Sequence, residues 1–523
     1  MHSSASISLS ALGFEWPDGT VALADITATF GVGRTSIVGL NGTGKSTLLR
    51  LITGELTPSA GTVATTGSVG YLRQDLALDA SATVADLLGI RSRLRAIAAV
   101  GDGSIEQSDY DVIGQDWDIA ERADAVLASL GIDGLEFKRP VATLSGGETV
   151  LAGIAGLLLA EHPITLLDEP TNNLDRTARA ALYAAVESWR GTLVVVSHDR
   201  QLLDLVDETA ELRAGSLRMF GGTYSAFAES LEVEQNAAER AVRTAEQVVR
   251  TQKRQRIEAE SKLAKRASYA QKTFETTNMP KILSGALRRS AEGSAGKLRG
   301  VHDDRLGDAR QALDDAEQLV RGDRRIRIDL PDTAVPSARR MLQIASPIDL
   351  TVHGPERIAI TGATGAGKTT LLNAIAASSG PVEFRVPEVG YLQQRLDGLD
   401  DSLSVLDNVR AVTDATPNEV RAQLARFLFR GNRVEQPASQ LSGGERFRVA
   451  LARILLAAPS PQLLLLDEPT NSLDLRSIDH LVEALEAYRG ALVVVSHDED
   501  FLARLALDRR IELTRRTEEA PIS

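Results

Sequence analysis

Two lysines stand in runs of glycine and hydroxyl residues, and that composition suits one kind of chemistry. Gly39, Asn41, Gly42, Gly44, Lys45, Ser46 and Thr47 belong to the run GLNGTGKST; Gly362, Gly365, Gly367, Lys368, Thr369 and Thr370 belong to GATGAGKTT, 323 positions later. Glycines let backbone N–H groups converge on an oxyanion at a helix N-terminus, the lysine neutralises β and γ phosphates, and the hydroxyl of Ser46 or Thr369 ligates Mg²⁺. Carboxylates follow in LLDEPTNNLD (Asp168, Glu169) and LLDEPTNSLD (Asp467, Glu468). The aspartate is suited to hold the metal, directly or through water, and the glutamate to orient or deprotonate an attacking water. His198 and His497 end apolar VVVSH runs 29 residues after the glutamates, and are read as γ-phosphate sensors. Gln74 and Gln394 close VGYLRQ and VGYLQQ, within reach of the metal or the lytic water. There is no cysteine, no His/Cys/Asp cluster with zinc spacing and no GxSxG elbow. Phosphoryl transfer from a nucleotide is the chemistry these residues specify.

Every one of these motifs occurs twice in the same order, as does LSGGE at Leu144–Glu148 and Leu441–Glu445. The chain is therefore a tandem duplication. Short apolar runs enter each glycine-rich loop and leucine-rich segments leave it, which reads as strand, loop, helix. Residues 164–167, 193–196, 463–466 and 492–495 read as buried strands of a largely parallel sheet. The expected class is α/β, with two phosphate-loop domains at 1–228 and 326–523 and a spacer at 229–325.

The spacer has a different pattern. Leu231, Ala238, Val242, Ala245 and Val249 repeat on one helix face, and Leu306, Ala309, Leu313, Ala316 and Val320 on another, which predicts an antiparallel helical hairpin. The chain carries a net charge of −13, yet residues 240–299 hold 15 Lys/Arg against 5 Asp/Glu. Six of its nine lysines lie there, and two of the others are Lys45 and Lys368. A basic spacer on an acidic body fits contact with a nucleic-acid phosphate backbone. The sequence shows no signal peptide and no apolar run long enough to span a bilayer, and with no cysteine this suits the cytoplasm.

With LSGGE ahead of the DEPTN run, the chain resembles the ATP-binding cassette superfamily along almost its whole length. Its two cassettes, charged helical linker and DEPTNxLD runs are similar to those of the ABC-F branch. The resemblance implies ATP and Mg²⁺ as ligands and ATP hydrolysis as the activity. It implies that Ser442, Gly443 and Gly444 complete the site of Lys45, while Ser145, Gly146 and Gly147 complete that of Lys368, so that the cassettes pair within one monomeric chain. It also implies that Trp16 (or Phe14) stacks on adenine and that the linker enters the ribosome near tRNA, in translation control or protection against antibiotics. The alternative is the ATPase component of a membrane exporter with separate transmembrane subunits.

The sequence departs from the family pattern in three places. The second half has no aromatic matching Trp16, so the two sites are expected to be unequal. Thr149-Val150 follows the first signature where Arg446-Phe447-Arg448 follows the second. The longer gap from Gln74 to Leu144 leaves room for an extra helical element in the first domain.

Overall fold

A computed structural model describes residues 5–74, 82–172, 174–276, 300–317, 330–345, 348–363, 365–393, 398–471 and 473–513. The chain divides into two compact units, residues 1–225 with 325–523, and residues 226–324.

The first unit holds both halves of the duplication. In the first half a six-stranded sheet runs in the spatial order Val69–Leu72, Ile164–Asp168, Thr192–Val196, Gly33–Val38, Glu208–Arg213 and Ser216–Gly221. Only the last pairing is antiparallel. The second half repeats this order as Val389–Leu392, Leu463–Asp467, Ala491–Val495, Arg357–Thr361 and Arg509–Glu512, all parallel. The sequences ITLLD, TLVVV, LLLLD and ALVVV are buried at every position, as a parallel sheet covered on both faces requires. This order places the histidine strand between the phosphate-loop strand and the carboxylate strand. Register brings Asp168 opposite Val196 and Asp467 opposite Val495, so the chemistry-bearing residues emerge together at the C-terminal edge, where open α/β sheets bind ligands.

A three-stranded antiparallel sheet accompanies each core: Val21–Phe30, Ile7–Glu15 and Ala60–Thr65 in the first half, and Leu350–His353, Arg340–Ile344 and Val382–Arg385 in the second. Trp16 directly follows the central strand of the first. Each LSGGE run starts a helix, Gly146–Ala160 or Gly443–Leu455, whose serine N-cap accepts a hydrogen bond from the N–H three residues on while that glutamate caps in return. This reciprocal box satisfies two donors that the first turn leaves open. Arg446 reaches Asp401 and the Ala438 carbonyl, and Arg448 reaches the Phe427 carbonyl. Thr149 makes only a local bond, to the Ser145 carbonyl. The basic residues present in one copy thus pin that copy's own helical region. The longer gap in the first half holds the paired helices Arg91–Gly101 and Gln107–Ile113.

The second unit contains most of the 53-residue helix Tyr224–Thr276 and a helical stretch at residues 300–317. Val249, Leu306 and Ala309 are buried together with Leu313 packed against them, and Ala316 is also buried. Leu231, Ala238, Val242 and Ala245 are half-buried, while Val233 and Val248, off the predicted face, are exposed. Val249 meets Leu306 and Arg256 meets Asp303 at 3.1 Å, so partners descend on one limb as they ascend on the other, as the antiparallel reading requires. Val320 lies outside the described residues.

Candidate active site

Both phosphate loops are shaped by close backbone contacts. A Cβ on Gly39 would lie 2.4 Å from the Leu212 carbonyl oxygen, and one on Gly362 would lie 2.3 Å from that of Leu513, so only glycine lets the loop leave its strand there. Gly44 and Gly367, both at positive φ, cap helices Lys45–Ile52 and Lys368–Ala377. Lys45 Nζ donates to the carbonyls of Gly39 and Leu40 at 2.8 and 3.0 Å, and Lys368 Nζ to those of Gly362 and Ala363 at 2.7 and 3.1 Å. Burial lowers the pKa of both lysines, against the pull of Glu169 and Glu468 respectively.

A cavity of about 480 Å³ lies against the first loop. Its lining includes Trp16, Asn41, Gly42, Gly44, Lys45, Ser46, Thr47, Gln74, Asp168, Glu169 and His198, so eleven residues singled out in the sequence meet around one space. Trp16 stands edge-on to Phe14, ring centroids 4.9 Å apart. In the second half the Thr369 hydroxyl donates to Asp467 at 3.2 Å. Gln394 lies outside the described residues.

Glu169 and Glu468 adopt φ of 50° and 45°, and each backbone N–H donates at 2.8 Å to the end of the histidine strand, at Val196 and Val495. Such a backbone is costly for a residue with a side chain, by roughly 1–3 kcal/mol, and is found at functional sites. The conformation turns each carboxylate towards its histidine: His198 Nε2 lies 3.0 Å from Glu169 Oε1, and His497 Nε2 lies 3.4 Å from Glu468 Oε1. Burial pushes the Glu169 carboxyl up and the His198 imidazole down. In the second copy burial moves Glu468 up to about 7 and His497 down to about 4. Burial therefore works against charge on both partners of each pair.

The second half supplies Thr470, Asn471, Leu473, Ile478 and Asp498 to the same cavity. The Asn41 N–H donates to Asp474 Oδ2 at 2.9 Å. Burial works against charge on Asp474, but hydrogen bonds from Asn41 and Ser477 outweigh it and hold the carboxyl below its usual range. Ser442, Gly443 and Gly444 do not line the cavity; the Ser442 oxygen is engaged in its own helix cap. Ser145, Gly146 and Gly147 do not line it either, and Ser145 caps its own helix.

Lysine, hydroxyl, amide and carboxylate around one cavity suit a nucleoside triphosphate with a divalent cation. Among the described residues no three His, Asp or Glu side chains converge to hold a metal, so a cation at Ser46 and Asp168 would need phosphate oxygens to fill its coordination sphere. The ABC transporter family profile matches residues 24–172 and 345–471. The chain belongs to the ATP-binding cassette family. It is 32% identical to the tylosin resistance ATP-binding protein TlrC of Streptomyces fradiae, over 93% of this chain and 94% of that protein. It is 31% identical to the probable ATP-binding protein YheS of Escherichia coli K12, over 94% of this chain and 77% of that one. With the uncharacterized ABC transporter ATP-binding protein YfmR of Bacillus subtilis the identity is 30%, over 91% and 76%. Two cassettes and a helical linker in one chain, with these relatives, make it an ABC-F type ATP-binding protein.

Sequence reasoning missed three residues of the cassettes. The Tyr71 hydroxyl donates to Asp168 at 3.2 Å, and that of Tyr391 to Asp467 at 3.5 Å. Their signal was present, since both stand in the duplicated VGYL run. Arg179, which also lines the cavity, pairs with Asp199 at 2.9 Å. The second copy has Ile478 at the matching place, so repetition gave no sign of it.

Proposed function

We propose that this protein hydrolyses ATP at both cassettes and uses nucleotide-driven closure to act on the ribosome through its basic linker. The observation that carries the reading is the pairing of duplicated hydrolytic sites with a linker of opposite charge to the rest of the chain. Lys45 and Lys368 hold the β and γ phosphates, and Trp16 stacks on the adenine of the first site. Ser46 with Asp168, and Thr369 with Asp467, hold Mg²⁺, assisted by Gln74 and Gln394; when bound, the ion shields the charge that develops on the phosphates. Glu169 and Glu468 orient the attacking water and take its proton, and His198 and His497 fix those carboxylates and read the γ phosphate. Closure brings Ser442–Gly444 onto the Lys45 loop and Ser145–Gly147 onto the Lys368 loop. ATP thereby biases a two-state element, and hydrolysis resets it.

The linker places exposed Arg250, Lys253, Arg254, Lys262 and Lys265 along its first helix, a charge pattern suited to ribosomal RNA, including near bound tRNA. Among the described residues no helix is long and apolar enough to cross a membrane. The likeness to a protein named for tylosin resistance favours ribosome protection against antibiotics over housekeeping translation control. The test is Glu169→Gln with Glu468→Gln, a chain that binds ATP but stalls, run through a density gradient with cell lysate and ATP. Co-migration with ribosomes, lost on neutralising the linker, supports the reading. Protein left at the top of the gradient overturns it, and pelleting with membranes brings the exporter reading forward.

A further inference from the structure

Arg200 stands two residues after His198 and opens the short helix Arg200–Leu203, which Asp199 caps through the Leu202 N–H at 3.1 Å. Its guanidinium does not stay within its own cassette. Arg200 Nη2 lies 2.6 Å from Asp479 Oδ1 of the second cassette, and Nε lies 3.6 Å from Asp500 Oδ2. Asp479 is held from its own side by Arg504 at 2.8 Å. It belongs to helix Leu475–Ala487, whose N-cap is Asp474, the residue that accepts the Asn41 N–H from the first phosphate loop. One helix of the second cassette therefore meets the first cassette twice, at the phosphate loop and just past the histidine.

The same guanidinium lies 5.9 Å from the centre of the Tyr224 ring, and Tyr224 is the first residue of helix Tyr224–Thr276. Asp204, which ends the Arg200–Leu203 helix, accepts from Ser225 through both the backbone N–H at 2.8 Å and the hydroxyl at 2.5 Å. The segment from His198 to Asp204 thus meets two carboxylates of the second cassette and two residues at the start of the linker helix.

The Arg200–Asp479 pair is not duplicated in the sequence. Glu499 occupies the position matching Arg200, and its carboxylate binds Arg510 of its own cassette at 2.6 Å. Ala180 occupies the position matching Asp479. The two histidine segments are alike up to the aspartate and differ at the next residue.

We propose that Arg200 is a positioning residue for the Lys45 site: it holds the His198 segment in register through Asp479, and through Tyr224 makes the start of the linker helix part of the same unit. The same guanidinium meets the Lys368 site's histidine segment at Asp500, at the longer distance of 3.6 Å. Hydrolysis at the Lys45 site is then sensitive to the linker's first turn, and more so than hydrolysis at the Lys368 site. The inference rests on the reading that both cassettes hydrolyse ATP.

The test measures kcat and KM for ATP in two backgrounds, Glu468→Gln, which isolates the Lys45 site, and Glu169→Gln, which isolates the Lys368 site. Arg200→Ala and Asp479→Ala are each expected to lower kcat about ten-fold in the first background with KM changed less than about two-fold, and Tyr224→Leu to lower it about three-fold. In the second background the same substitutions lower kcat by less than about two-fold. The exchanged pair Arg200→Asp with Asp479→Arg restores at least half the loss, which a purely structural defect would not allow. Equal losses in both backgrounds, or no loss in the first, overturn the proposal. If neither background turns over, the two-site reading fails instead. The Arg200 claim is then decided in the otherwise unaltered chain, where no loss on Arg200→Ala, or no rescue by the exchanged pair, overturns it.

Discussion

At the scale of single residues, burial works against charge on the lysine and the glutamate of each site. Glu468 is buried and pushed up to about 7. A carboxyl raised on folding contributes full stability below its unfolded pKa and loses it as pH rises through the folded value. The nucleotide-free protein therefore loses stability from about pH 4.5 to about pH 7 on account of this group, and the loss is complete above that. Glu468→Gln removes the loss. It is expected to melt higher than the parent at pH 7.5, by about 2–4 °C for each kcal/mol released in a domain of this size, with the gap closing as pH falls towards 5. Calorimetric melts across that range check it, and a gap independent of pH would refute it. The Tyr71 hydroxyl donates to Asp168, so under the proposed function it supports a Mg²⁺ ligand as outer-shell donors do. Tyr71→Phe is expected to raise the Mg²⁺ concentration for half-maximal hydrolysis about ten-fold with little change in ATP binding in the absence of the metal, measured by titrating Mg²⁺ at fixed ATP. An unchanged Mg²⁺ requirement would assign the tyrosine a packing role only.

At the scale of elements, the sequence was most readable where a pattern served a local purpose twice. The strands ITLLD and LLLLD and the strand, loop and helix around Lys45 and Lys368 all follow from rules acting over a few residues. The linker's apolar face was legible for the same reason, since Val249, Leu306 and Ala309 are spaced to meet. What stayed hidden joins residues far apart in the chain. Asn41 and Asp474 are 433 positions apart and Arg200 and Asp479 are 279 apart, and no periodicity connects them. The linker contact permits a direct test. Leu306 is buried between limbs that have few other apolar contacts among the described residues, so Leu306→Ala should cost about 2–3 kcal/mol of local stability. Amide exchange at residues 300–317 is expected to quicken by about 30- to 140-fold, since every 1.4 kcal/mol is a factor of ten, while exchange in the strand Leu463–Asp467 stays at the parent rate. Unchanged protection at 300–317 would mean that the hairpin is not held by this cluster.

At the scale of the whole molecule, charge is separated along the chain. Residues 240–299 carry a net +10, and the rest carries −23. A polyanion is attracted to the one region and repelled by the other, so the basic segment selects the orientation of approach as well as strengthening it. If that segment touches RNA phosphates, each contact releases counterions, and the logarithm of the association constant falls linearly with the logarithm of salt concentration. Arg250, Lys253, Arg254, Lys262 and Lys265 are all exposed on the first limb. Replacing the five with Gln in the Glu169→Gln, Glu468→Gln chain is expected to weaken ATP-dependent ribosome binding at 100 mM salt and to flatten the salt slope by about 0.7–0.9 for every residue that touches a phosphate. The slope matters more than the affinity, because misfolding of the linker would weaken binding but would not reduce the slope in proportion to the number of charges removed. A slope that stays at the parent value while binding weakens would show that these residues do not contact phosphate. The phosphate contacts would then have to come from the other ten basic residues of 240–299 or from the cassettes.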